Sequence, residues 1–247
     1  MPCLGDFASR RLTTEFIGLW DPWLQRSLAV SRQQLGDAWL DMFLTSPMWR
    51  FALAQGTCGE HAWAGLLVPS VDKVGRYFPL TIALRIEPGG ADIISIFGAQ
   101  AWYASLESIG LSALKLEYSP HELDEALAAL TFPCPSVTGD HAGVGQLMES
   151  VVTASAPMVL HFASVESIAA ATLESARAAY ATKMYGRTFW WSVAQDSGTT
   201  EFHCSVGLPP PNHFSIFLGS NVPAAPSAAP LTVPGTAQRI NAADTPR

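Results

Sequence analysis

From Pro69 to Leu80 the chain reads Pro-Ser-Val-Asp-Lys-Val-Gly-Arg-Tyr-Phe-Pro-Leu, where side chains able to act together stand closest. Ser70, Asp72 and Arg76 offer a hydroxyl, a carboxylate and a guanidinium in a short span, and Gly75 can turn the backbone between them. Two chemistries fit this spacing. In the favoured one, Asp72 or Ser70 caps local amides and Arg76 pairs with a carboxylate such as Asp6 or Asp72, giving a braced turn between strands. In the other, Ser70, Asp72 and Arg76 line a pocket on a loop held by a rigid sheet, serving a small-molecule or hydrolytic site. Convergence of the three in a concave, water-accessible cleft would support the pocket, and mutual pairing would support the turn. Trp190-Trp191 poses a second question. Neighbours on a strand face opposite ways, so at most one ring enters a given core face and the other meets a second layer, a partner or solvent; helices on both faces of the sheet would satisfy both.

Other catalytic patterns are missing. There is no Gly-x-Ser-x-Gly, no HExxH or HxH, no Gly-x-Gly-x-x-Gly and no P-loop, and the six histidines are scattered. Glu122, Asp124 and Glu125 fall at the start of a predicted helix, where the macrodipole favours acids without catalysis. Cys3, Cys58, Cys134 and Cys204 form no CxxC pair, so free thiols are expected and no metal or other cofactor is implied. The net charge of −7 leaves no excess of cations to neutralise phosphates, which argues against nucleic acid. Residues 92–176 contribute acids from Asp92 to Glu174 with Lys115 as their only cation, a solvated helical face or a docking face for a basic partner. No secretory leader pattern opens the chain, and no apolar run approaches the roughly 20 residues that cross a bilayer, so no membrane insertion is expected.

The elements that must hold these residues follow from periodicity. At 247 residues and 49% hydrophobic content the chain can build a full core. Phe16, Trp20, Trp23, Leu24 and Leu28 recur at helical spacing. Asp21-Pro22 predicts a break there, with one helix to about Leu19 and another from Pro22 to about Gln34. A third helix is expected to turn Trp39, Leu40, Phe43 and Leu44 inward and to stop at Pro47. Met48–Ala54, Ala62–Pro69 and Phe78–Ile86 read as strands of an antiparallel meander, and Thr188–Ala194 with Glu201–Val206 as a hairpin around Asp196-Ser197-Gly198. Helical spacing returns from Ala99 to Lys115, and Ser119 with Glu122 forms a capping box. Residues 131–156 read as loop with a short helix from Gly145 to Thr153, followed by a strand at Pro157–Ala163 and an alanine-rich helix from Ser164 to about Thr182. A short helix is expected near Asn212–Leu218. The prediction is an α+β domain over residues 1–220, a mostly antiparallel sheet of about five strands flanked by helices on both faces. A Pro/Ala-rich disordered tail is expected over residues 221–247. The low charge density also allows a homo-oligomer that hides apolar surface.

Gly5-Asp6-Phe7, Trp20-Asp21-x-Trp23-Leu24-Gln25, Ser46-Pro47-x-Trp49-Arg50-Phe51, the Pro69–Leu80 segment, Trp190-Trp191 and Gly207-Leu208-Pro209 together resemble the TagF (ImpM) family of type VI secretion accessory proteins. The resemblance implies a cytoplasmic, non-catalytic, post-translational regulator, a repressor that binds a forkhead-associated scaffold protein of the secretion system. It carries over no catalytic residues. Gly5, Asp6, Trp49, Arg50, Ser70, Asp72, Gly75, Arg76, Trp190 and Trp191 are the motif positions expected to bind a partner or to brace the fold. Family members usually carry a Gly-Lys-Leu-Pro-like strand ahead of Gly-Asp-Phe. This sequence starts at Met1-Pro2, so either its start is assigned late or its first strand is missing, and that edge of the sheet is expected to differ.

Overall fold

A computed structural model describes residues 2–3, 9–87, 93–133, 176–177, 179–180, 182–193 and 200–219. Gly5 and Asp6 lie outside the described residues. So do the expected helix at 145–153, the strand at 157–163, most of the alanine-rich helix, the turn at 196–198 and the tail at 221–247.

Helix α1 runs unbroken over Thr14–Leu35, started by Thr13, whose hydroxyl accepts from the Phe16 amide at 3.2 Å, and ended at Gly36, where φ is +53°. The break expected at Asp21-Pro22 does not occur, and Asp21 is an interior residue of the helix and not a cap. An interior proline costs roughly 3 kcal/mol because it removes one helical hydrogen bond. Phe16, Trp20, Trp23, Leu24 and Leu28 all bury on the same stripe, each worth about 1.5–3 kcal/mol. Trp20 and Trp23 flank Pro22 with ring centroids 4.9 Å apart, so a break there would dismantle this stripe. A 3-10 turn, Gly36–Ala38, leads into α2, Trp39–Thr45. Trp39 and Phe43 stack inward at 4.9 Å, whereas Leu40 and Leu44, expected inside, are exposed. Two turns of helix present one i,i+4 pair to the core, and residues one position on point about 100° away.

The sheet comprises β1 (Trp49–Leu53), β2 (Ala62–Val68), β3 (Leu80–Ile86), β4 (Arg187–Val193) and β5 (Thr200–Val206), every neighbouring pair antiparallel, in the order β3-β2-β1-β4-β5. Five of the six strands expected by position are present, and the sixth, at 157–163, lies outside the described residues. Alternation then sorts the side chains. Trp49, Phe51, Leu53, Trp63, Leu67 and Trp190 enter one core with α1, α2 and a closing 3-10 turn and short helix, Pro211–His213 and α6 (Phe214–Phe217). Ala52, Ala64, Leu66, Val68, Ile82, Phe189 and Trp191 enter the other with α3 (Ile93–Gly98), α4 (Gln100–Ser112) and α5 (Pro120–Ala128). The molecule is therefore an α+β sandwich with helices on both faces of an antiparallel sheet. The Ser119–Glu122 capping box forms in full at the start of α5. The short helix α3, which has no counterpart in the sequence reading, adds Ile93 and Ile96 to the second core.

Gly65 sits at the middle of β2, where strand and core meet most closely. A Cβ built there would stand 2.2 Å from the Ile82 carbonyl oxygen and 2.4 Å from Cζ of Phe51. Overpacking of this kind costs about 1–3 kcal/mol. Gly65→Ala is expected to lower the unfolding free energy by about that amount, read from the denaturant midpoint, whereas Gly98→Ala, with open space around it, is expected to leave the midpoint near the wild-type value.

Candidate functional site

The Pro69–Pro79 connector is a small hairpin. Val71 and Tyr77 form an antiparallel bridge, and the Phe78 amide donates to the Ser70 carbonyl at 3.1 Å. The Asp72 amide donates to the Arg76 carbonyl, and the Gly75 amide to the Asp72 carbonyl, both at 3.0 Å. The turn needs a left-handed residue, and Gly75 supplies it at φ +83°. Asp72 fills the interior of the turn: Oδ1 accepts from the amides of Val74 (3.0 Å) and Arg76 (2.8 Å), and Oδ2 accepts from Arg76 Nε at 2.5 Å. Burial pushes the Asp72 carboxyl up. The Arg76 amide, the Arg76 guanidinium and the Val74 amide outweigh it, so the group titrates below the usual carboxylate range. Ser70 does not share this capping: it is buried, and its hydroxyl has no hydrogen-bond partner among the described residues. The three polar groups singled out in the sequence therefore do not converge as a catalytic set.

The aromatic and arginine motifs also act inside the fold. Trp190 lies in the first core, stacked on Trp20 at 5.8 Å, and Trp191 in the second, edge-on to Tyr103 at 5.0 Å. Trp49 donates its indole N–H to the Phe217 carbonyl at 2.8 Å. Arg50, one residue on, points to the other face and is 7% exposed. Its Nε and a terminal nitrogen donate to the two oxygens of Glu107 at 2.7 and 2.9 Å, and the other terminal nitrogen donates to Gln100 at 2.6 Å. The guanidinium also lies 5.4 Å from the Tyr103 ring, whose hydroxyl donates to the Phe51 carbonyl. Arg50 thereby ties α4 to the central strand.

Two features escaped the sequence reading. The first is a cleft of about 590 Å³ along β3, walled by the segment Ser9–Thr13, Trp20 and Asp21 of α1, and α5. It takes in Asp72 but neither Ser70 nor Arg76. Its walls come from stretches far apart in the chain, so no local motif announces it. The second is a chain of ionisable groups on β5 and the closing turn. Glu201 meets His203 Nε2 at 2.7 Å, and His203 Nδ1 meets His213 Nε2 at 3.1 Å. Burial and the neighbouring His203 lower the pKa of His213, which favours its neutral form. Residues 201 and 203 share one face of β5 by alternation, and the closing turn brings His213 against them, a juxtaposition that no signature spacing announces. Among the described residues no three His, Cys, Asp or Glu side chains are placed to hold a metal ion. Cys58 is buried, and desolvation with the nearby Glu15 charge pushes its thiol up to about 12, far from a reactive thiolate. No described helix is long and apolar enough to cross a membrane.

Comparison with known proteins adds a family to this geometry. The family model of the TagF N-terminal domain, type VI secretion system-associated, matches residues 1–130. The crystal structure of PA0076 from Pseudomonas aeruginosa PAO1 is similar, with a TM-score of 0.64 and 33% identity, the match covering 91% of this chain and 95% of that one. No curated protein sequence matches.

Breaking the bidentate pair leaves one buried charge uncompensated, so Arg50→Ala or Glu107→Ala is expected to cost about 3 kcal/mol by chemical denaturation. The double variant is expected to cost less than the sum of the two. The connector carries a pH signature of definite sign. The Asp72 pKa is lower folded than unfolded, so its contribution is present above the unfolded value of about 3.9 and is lost as pH falls through the folded value. In an NMR titration the Val74 and Arg76 amide resonances should stay put from neutrality to that range and then shift. Asp72→Asn should abolish the step.

Proposed function

The chain belongs to the TagF family of type VI secretion-associated proteins, and from that premise we propose that it is a non-catalytic, cytoplasmic regulator that represses the apparatus after translation by binding its forkhead-associated scaffold protein. The observation that carries this reading is the fate of the polar motif. Asp72 spends its carboxylate on two backbone amides and the Arg76 guanidinium, Ser70 is buried away from both, and Arg50 is closed off by Glu107 and Gln100. A general base or nucleophile would have to be within hydrogen-bond reach of a substrate atom. The motif residues instead stiffen a rigid body, as a docking protein requires.

The test is genetic and biochemical. Deleting the gene is expected to raise export of the secretion system's own tube protein, and overproducing the chain is expected to suppress it. Crosslinking mass spectrometry on purified partners should place the scaffold against this protein. Catalytic turnover that vanishes in a folded Asp72→Asn or Arg76→Lys variant would overturn the proposal in favour of an enzyme built on the Ser70–Arg76 loop.

A further inference from the structure

Among the described residues strand β3 is an edge: Leu80–Ile86 pairs with β2 and with no other described strand, over a register unbroken from Leu80↔Val68 to Ile86↔Ala62. In an antiparallel ladder the backbone N–H and C=O groups of alternate residues point away from the sheet, so such an edge is a template for a further strand. Folded proteins commonly blunt these edges with proline, a bulge or a covering element. Here Pro79 stands just ahead of the strand, the strand itself contains neither proline nor bulge, and the cleft opens along residues 80–85. The walls are apolar on both sides of the edge, with Trp20 and Trp63 toward one face and Leu123 and Leu127 toward the other. That is the shape that takes an extended chain, whose successive side chains turn to opposite faces.

The charges of the cleft narrow the choice of occupant. Asp124 is held by Arg10, Glu87 by Arg85 and Asp72 by Arg76. Arg11 is exposed. Asp21 is different: half-buried on the same wall as Trp20, it has no hydrogen-bond or ion-pair partner among the described residues, and burial alone raises its pKa. A carboxylate so placed beside aromatic rings is complementary to a lysine or arginine head. The wider field has the same sign, since the net charge is −7 and α5, which forms one wall, carries Glu122, Asp124 and Glu125. A second copy of this chain would bring the same excess of carboxylates to the contact, which disfavours self-pairing.

We propose that the cleft along β3 receives an extended, basic segment of a partner protein, which adds to the sheet as a strand beside β3 and seats a lysine or arginine on Asp21. This rests on the protein-binding reading above and supplies the chemistry of the bound segment. The probe is an array of overlapping synthetic peptides, each about ten residues and so long enough to span a strand, tiling the type VI secretion proteins of the same genome. The full chain is the analyte. Peptides that bind should combine alternating apolar residues with at least one Lys or Arg, and replacing that residue by Glu should abolish binding. Asp21→Asn should weaken it by about tenfold or more, with the thermal transition unchanged. N-methylation of alternate peptide amides, which removes ladder donors and leaves the side chains, should also abolish it. Three results would overturn the inference: no peptide bound, binding indifferent to Asp21→Asn and to N-methylation, or a homodimer in light scattering whose β3 amides are protected from hydrogen exchange. If the intact scaffold crosslinks while no peptide competes, strand addition falls and the regulatory reading stands. If peptides bind but secretion is indifferent to the gene, the reverse holds.

Discussion

The structure depends on covering both faces of one sheet with large aromatic side chains. Adjacent strand residues point to opposite faces, so Trp190 and Trp191 cannot share a layer, and neither can Trp49 and Phe51 on one side and Arg50 and Ala52 on the other. Each face needs its own helical cover. The first face meets it with the long stripe of α1, and the second with α4 held against β1 by the Arg50–Glu107 pair. The two covers differ in kind. One is almost wholly apolar, while the other is fixed by a charged fork whose geometry allows little sliding, which sets the register of α4 over the strand.

Indole N–H groups show how closely the aromatic layer is fitted. Trp20 donates to Thr81, Trp23 to the Pro209 carbonyl, Trp39 to Ser31 and Trp49 to the Phe217 carbonyl. Among the described residues Trp63 and Trp190 find no acceptor. An unmade hydrogen bond of this kind costs about 1–3 kcal/mol. Both rings make close aromatic contacts, Trp63 with Phe16 at 4.3 Å and Trp190 with Trp20, Trp23, Phe51 and Phe217, so burial and ring packing hold them where hydrogen bonding does not.

Much of this architecture is legible in the sequence because it is written in short-range patterns. The five described strands are bounded by Gly and Pro, the Ser119–Glu122 box marks the start of α5, and Trp190-Trp191 puts one large ring on each face of the sheet, which helices on both faces satisfy. Spacing within one turn offers Asp72 or Ser70 as the cap and Asp6 or Asp72 as a partner of Arg76, and the described turn gives Asp72 both roles. The misses share one cause, which is that long-range packing overrides a local signal. Pro22 marks a helix boundary only if the stripe on either side of it is not a single surface. Leu40 and Leu44 look internal until the shortness of α2 leaves room for only Trp39 and Phe43. Arg50 belongs to a motif but gives no sign that its partners are Glu107 and Gln100. The β3 cleft and the Glu201–His203–His213 chain are assembled by topology alone.

The closing turn at Pro209–Phe217 completes the first core, and its carbonyls receive the N–H groups of Trp23 and Trp49 across separations of 186 and 168 residues. The order of synthesis therefore runs against the order of burial. A ribosome delivers α1 and β1 long before the residues that roof them, and the nascent aromatic surface stays open to water and to other chains until almost the whole sandwich has emerged. Contacts of such long range form late and leave sticky intermediates behind them, so yield in the cell is governed as much by what shelters the growing polypeptide as by the stability of the finished protein.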